Sequence, residues 1–499
     1  MNLIEQLKEL RAAAGAVLTH GLSDAQIQRF AGDERLQRAV AEAVTAFRQV
    51  RAELPALVEL PEAEQLRLVQ RDFVNFYSED AVNPYVAIAA RGPWVITLKG
   101  AVIHDNGGYG MLGAGHAPDF VIAAMARPQV MANVMTPSVS QLRFGEAMRR
   151  EIGHTRGTCP YSHFLCLNSG SESVTLAGRF IDMHSRRQTE AGAPHAGRHI
   201  RRLAVKGAFH GRTEFPALYS DSSRKAYDLY LASSRDLPKL LTVEPYDVAQ
   251  LEKVFAEADA NQWHIESMLL EPVMGEGNPG RAVTPEFYAA ARRLTREHGT
   301  LLLVDSIQAG LRAHGVLSIV DYPGFEGLEA PDLETYSKAL NAGQYPLSVL
   351  AVSEKVAASY QKGIYGNTMT TNPRALDVAV AVLENLTPAL RANIRERGRE
   401  AVDKLNALAA RMGGAIRNVQ GTGLLFSCEL APEYKCYGTE STEEFMRQHG
   451  LGVIHGGTNS LRFTPAFSIT SAELDLLVEG VQFALEQGPR RSKELQKAA

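Results

Sequence analysis

From about residue 160 to residue 350, short apolar runs alternate with stretches of helical spacing. "HFLCLNSG" reads as a strand and a turn, and "SESVTLAGRFIDMHSRR" as a helix with Val174, Ala177 and Ile181 on one face. "IRRLAVKGAF" is a second strand and "IESMLLEP" (265–272) a third, apolar enough to be buried. Thr284 then offers an N-cap, Pro285 suits the first helical position, and Gly299 stops that helix after His298. "TLLLVD" is the next strand. Strands of this kind need cover on both faces, and the intervening helices supply it. The pattern therefore predicts an α/β fold built on a mostly parallel sheet.

In such a sheet, ligands bind beyond the carboxyl ends of the strands. "NSGSES" (168–173), "AFHGRT" (208–213) and Asp305, a carboxylate at the tip of a buried strand, all fall at such ends. "PDLETYSKALNAGQYP" (331–346) puts Lys338 just before a glycine-containing turn, and "YGNTMTTNP" (365–373) is a hydroxyl-rich loop. A phosphate cradle, an aromatic, a buried acid and a lysine are the parts a pyridoxal phosphate site requires. Gly170 and Ser171 open a helix whose N–H groups and dipole favour a phosphate. Phe209 could lie flat on a pyridine ring, Asp305 would keep the ring nitrogen protonated, and Gln308 could donate to the ring hydroxyl. Lys338 would form the Schiff base and then move the substrate proton.

The flanks divide into an N-terminal helical extension (1–88), a joining segment (89–145), the large domain (146–373) and a smaller α/β C-terminal domain (374–499). "PWVITLKGAVIHDNGGYG" (93–110) predicts two short strands broken at Gly100. A long helical stretch after Pro373 is interrupted at Pro388. "GTGLLFSCEL" (421–430) and "NSLRFTPAF" (459–467) read as strands, and a last helix starts at Ser471. "GYGMLG" (108–113) matches G-x-G-x-x-G, but Pro118 delays any helix and no acid lies ~20 residues on, which argues against a dinucleotide fingerprint.

A formal net charge of -4 leaves no basic excess for nucleic acid or an anionic membrane. No apolar run approaches the ~20 residues of a membrane helix. The N-terminus lacks a signal-peptide core. Cys159, Cys166, Cys428 and Cys436 show neither metal-ligand nor C-x-x-C spacing. The expectation is a cytoplasmic protein without a metal.

"NSGSES", "AFHGRT", "EPVMGEG", "VDSIQAG", "PDLETYSKALNAG" and "GNTMTTNP" together resemble the class III (ω-amino-acid) aminotransferases of pyridoxal phosphate fold type I, in the family's order from about 90 to 480. The resemblance implies that Lys338 carries the cofactor and that Thr368 reaches the phosphate of a partner subunit's cofactor, so the active unit would be a homodimer. "GMLGAGHAP" looks like the segment near the family's substrate mouth. Arg462 matches the arginine that binds a substrate α-carboxylate. Arg212 matches one that in some members binds the distal carboxylate of glutamate. Glu276 matches the residue that can pair with the α-carboxylate arginine. Three departures bear on substrate preference: Ser306 where the family usually has Glu, Ala313 where it has Arg, and Thr370 and Thr371 at usual glycine positions.

The activity implied is transfer of an amino group from a lysine-, ornithine- or 4-aminobutyrate-like donor to a keto acid such as 2-oxoglutarate. "KGAFHGR" and "GTNSLRFTPAFSITSAELD" look most like lysine 6-aminotransferases. Decarboxylation or racemisation on the same scaffold and a non-catalytic cofactor-binding module are the alternatives, separated by keto-acid-dependent amine transfer. A nicotinamide oxidoreductase is the outsider.

Overall fold

The computed structural model describes residues 2–77 and 81–491. The chain forms two compact units, Met1–Asp119 with Glu396–Ala499 and, between them, Phe120–Arg395. These cuts differ from the expected ones at 145/146 and 373/374. The helices Val139–Glu151 and Pro373–Glu384 pack on each other within the second unit.

In the first unit, β1 (Ala87–Arg91), β2 (Trp94–Thr97) and β3 (Val102–Asp105) form an antiparallel meander. The β2–β3 turn is at Gly100, as expected, with φ 75°. The N-terminal helices are part of this unit's core. Helix Glu34–Glu53 buries Leu36, Ala39, Val40, Ala43 and Phe47, one stripe at helical spacing, against β1 and β2. Its N-cap Asp33 also accepts the Trp94 indole N–H at 2.9 Å, tying helix to strand.

The second unit carries β4 (His163–Leu167), β5 (His199–Val205), β6 (Leu241–Val243), β7 (Trp263–Leu270), β8 (Leu301–Asp305), β9 (Leu333–Tyr336) and β10 (Ser348–Val352). They make one seven-stranded sheet in the order β4-β10-β9-β8-β7-β5-β6. Every pairing is parallel except the two made by β10. These two reversals cancel, so β4 runs in the same direction as β9. All the strands but β10 therefore end on one side. The predicted caps hold: Thr284 accepts from Phe287 N–H, Pro285 opens the helix and His298 closes it before Gly299 at φ 63°.

Back in the first unit, "GTGLLFSCEL" is not one strand. β11 (Ile416–Thr422) and β12 (Leu425–Leu430) form a hairpin that turns at Gly423, φ 57°. β13 (Leu451–Gly452) pairs in parallel with β3, and β14 (Ile454–Gly456) and β15 (Ser460–Phe463) complete the second small sheet. The last helix is Ser471–Gln487, capped by Thr470. The 108–113 glycines lie in short 3-10 turns, and a helix begins only at Asp119, so the dinucleotide geometry is absent there. No helix among the described residues is long and apolar enough to cross a membrane.

At the far end of the sheet, on β7, His264 is 1% exposed and stacked on His195 with centroids 4.8 Å apart. Neither ring nitrogen of His264 has a hydrogen-bond partner among the described residues. Burial, helped by the neighbouring His195, His184 and Arg198, pushes His264 down to about 3. A histidine whose folded value is depressed contributes stability above its unfolded value of about 6.5 and loses it as pH falls toward 3, at up to about 1.4 kcal/mol per pH unit. His264→Phe, which keeps the stack and removes both nitrogens, is expected to flatten that part of the acid limb. Chemical denaturation at pH 7, 5 and 4 measures it, and parallel limbs in the two proteins would contradict it.

Candidate active site

Five turns leave the sheet on the side where β4, β5, β7, β8 and β9 end. They carry eight of the ten predicted site residues; Thr368 comes from a later loop, and Arg462 lies on β15 in the first unit. The helix Gly170–Thr189 starts directly after β4 with Ser169 as N-cap, and the Glu172 side chain takes the amides of Asn168 and Ser169. Gly170 and Ser171 hold the first two helical positions, whose N–H groups have no intrahelical acceptor. The turn after β5 meets this helix closely. Gly211 has φ 115°, and a Cβ there would sit 2.4 Å from Ser171 Oγ, so only glycine fits. Gly170 in turn abuts Ile307.

Asp305 ends β8 and is 5% exposed. His210 Nδ1 lies 2.9 Å from its Oδ2, and Ile307 N–H and Thr335 Oγ–H both donate to Oδ1 at 3.2 Å. An ionised carboxylate can only accept, so the Nδ1 of His210 carries the proton. Three of about four lone-pair directions are thus used, leaving one on Oδ2 for a further donor. A protonated pyridine nitrogen is such a donor. His210 is not among the predicted site residues. Its own sequence neighbourhood held no sign of Asp305, a residue 95 positions away.

Lys338 follows β9 at φ 48°, a left-handed conformation rare for a side chain of this size. Held strain of this kind concentrates at functional positions. The turn is pinned by Ser337 Oγ and Asn341 Nδ2, both donating to the Leu347 carbonyl at 2.7 Å. Gln308 lies against the turn after β7, where a Cβ on Gly275 would come within 1.9 Å of its Oε1.

Phe209 has the Arg212 guanidinium 5.8 Å from its ring centroid. Arg212 and the part-buried Glu276 are also brought together around Tyr227. Burial raises that phenol, Arg212 pulls it down and Glu276 pushes it up. Tyr227 was not among the predicted residues. Thr368 is exposed, and its loop is tied to the turn after β4 by Asn168 Nδ2 donating to the Met369 carbonyl at 3.2 Å. Arg462 belongs to the first unit, on β15, 2% exposed, with its guanidinium 5.6 Å from the Tyr109 ring centroid.

The profile described as aminotransferase class-III matches residues 76–485. The chain belongs to the class III aminotransferases. Acetylornithine aminotransferase of Neisseria meningitidis serogroup B is 27% identical over 414 residues, 82% of this chain and 96% of the relative. That of Xanthomonas axonopodis pv. citri is 32% identical over 313 residues, 62% of this chain and 71% of the relative. Ornithine aminotransferase from Toxoplasma gondii has the same fold, with a TM-score of 0.71 at 23% identity, covering 88% of this chain and 98% of that one. An S-selective transaminase from Bacillus megaterium is alike at a TM-score of 0.70 and 16% identity, over 85% and 97%.

This aminotransferase is therefore a pyridoxal phosphate enzyme of fold type I, and its residues fit the cofactor. The open lone pair on Asp305 and the Gly170 and Ser171 N–H groups at the helix start are features the group would satisfy. The departures from the family pattern also have physical readings. Ser306 Oγ donates to Glu334 on the neighbouring strand β9, a buried carboxyl that also accepts from Tyr161, Ser318 and the Ile319 amide. Beside Ala313, Arg312 is fully buried, and burial lowers it to about 9. Thr371 has φ 55°, where a glycine would be unstrained.

Proposed function

We propose that this aminotransferase moves the terminal amino group of an ornithine-, lysine- or 4-aminobutyrate-like donor to a keto acid such as 2-oxoglutarate. The Asp305–His210–Thr335 cluster at the strand ends, with Lys338 three residues beyond Thr335, is the observation that carries the reading. The relatives named for acetylornithine and ornithine support an ornithine-type donor.

When bound, pyridoxal phosphate supplies an electron sink for the carbon bearing the amine. Lys338 would hold the cofactor, and its Nζ would be the base that removes the proton from that carbon and later returns one. Asp305 would hold the proton on the ring nitrogen, with His210 keeping the carboxylate oriented. Phe209 would cover the ring, Gln308 would meet its hydroxyl, and the Gly170 and Ser171 amides would take the phosphate.

The sequence match carries the substrate part. Arg462 takes an α-carboxylate, Glu276 answers that arginine when the donor presents its far amine, and Arg212 takes the distal carboxylate of glutamate. The test is to assay ornithine, N-acetylornithine, lysine and 4-aminobutyrate as donors and to identify each keto product. Glu276→Ala is expected to preserve the glutamate reaction and shift diamino acids toward loss of the α-amine. A difference of about 1.4 kcal/mol between two poses would shift that choice tenfold. Unchanged regiochemistry would leave only the aminotransferase activity standing.

The reading includes a cytoplasmic homodimer with shared sites. Met131, Met135, Val139 and Leu142, all at least 64% exposed, are large apolar side chains within one short segment, which supports a partner surface there. The Val134 amide donates to the Thr368 carbonyl at 3.0 Å, so the Thr368 loop adjoins this segment. Mixing inactive Lys338→Ala and Thr368→Ala subunits is expected to restore part of the activity, because each heterodimer would have one intact site. No recovery after verified subunit exchange would contradict shared sites.

A further inference from the structure

Glu271 lies directly after β7 and is 5% exposed, yet no step described above uses it. Its Oε1 accepts the Phe209 amide at 3.0 Å, and its Oε2 accepts the Gly275 amide at 2.8 Å. These amides belong to different turns. The first turn holds the ring platform Phe209 and the Asp305 partner His210. The second holds Gly275, packed on Gln308, and Glu276. The turns also meet through their glycines, since a Cβ on Gly277 would lie 2.0 Å from the Gly207 carbonyl oxygen. That contact leaves no room for a side chain and supplies no hydrogen bond of its own.

We propose that Glu271 is a positioning residue whose single carboxyl clamps the 207–213 and 274–277 turns into one rigid wall beside the cofactor ring. The inference rests on the site reading above and adds to it the element that fixes Phe209 and Gln308 relative to each other. Both carboxyl oxygens are engaged by backbone donors, so the clamp depends on a two-acceptor group. A glutamine in its place keeps the size and must turn its NH₂ toward one of the two N–H donors. The charged and titratable groups facing Glu271 are His210 from the first turn, Asp305 from the end of β8, and Tyr246. Burial raises the carboxyl to about 7, with His210 opposing the shift.

The experiment is amide hydrogen exchange of the peptides spanning Phe209 and Gly275, in the apo and cofactor-loaded forms, for wild type and Glu271→Gln. The variant is expected to exchange faster at one or both peptides. It should also bind pyridoxal phosphate about tenfold more weakly and lose kcat with an unchanged KM for the donor. Wild-type exchange at both peptides together with wild-type cofactor affinity would overturn the clamp. Should Glu271→Gln fail to fold, wild type still decides. Protection at the two peptides should change together as pH passes through about 7, after correction for intrinsic exchange, and independent changes would overturn the proposal. Borohydride reduction of the same samples separates this inference from the one beneath it. An adduct on a lysine other than Lys338 defeats the site reading, whereas an adduct on Lys338 with unaltered exchange defeats only the clamp.

Discussion

Lys338→Ala is expected to lower kcat by at least about 10³-fold, because one nitrogen both anchors the cofactor and carries the substrate proton. The fold should survive. Lys338 is only part-buried, and the left-handed backbone at φ 48° suits alanine no worse than lysine, so a stability change within about 1 kcal/mol is expected. A small primary amine in the buffer should restore part of the proton transfer, which separates loss of a base from loss of structure. The measurement compares steady-state rates, with and without the amine, alongside the denaturation midpoint of the apo protein. A variant with near-native turnover would remove Lys338 from the chemistry.

Asp305→Asn should have the next largest effect. The neutral amide cannot favour a proton on the ring nitrogen, and losing one preorganised charge of this kind costs about 10²–10³-fold in kcat. The structure adds a smaller penalty to stability. His210, Ile307 and Thr335 all donate to Asp305, and an asparagine must present its NH₂ to at least one of them. A loss of about 1–3 kcal/mol is expected from that mismatch. Denaturation curves and kcat measured on the same preparation test both parts. Native turnover with lowered stability would make Asp305 a structural residue only.

What the sequence made legible follows from the range of the forces involved. The helix from Pro285 was readable because its N-cap, first-position proline and terminal glycine are local signals, and the structure has each of them. The sheet's direction was readable because apolar runs without alternation need two covered faces. The hairpin at 416–430 was not, since Gly423 sits inside an otherwise apolar run and its left-handed turn left no polar mark. β1, "AIAAR", is alanine-rich and looks helical in isolation. The partners of the site residues were least legible. His210 finds Asp305 across 95 positions, and Ser306 finds Glu334 across 28. No spacing rule spans such separations. The N-terminal helices looked appended because their amphipathic stripe does not say which sheet it covers.

The central claim is that the cofactor is bound where β8 and β9 end, through Lys338. Reduction of the cofactor-loaded enzyme with borohydride, followed by proteolysis and mass mapping, tests it most directly. The account predicts one pyridoxyl adduct per chain, on the peptide containing "YSKALNAG", at Lys338. An adduct on any other lysine, or none on a protein that transaminates, would contradict it.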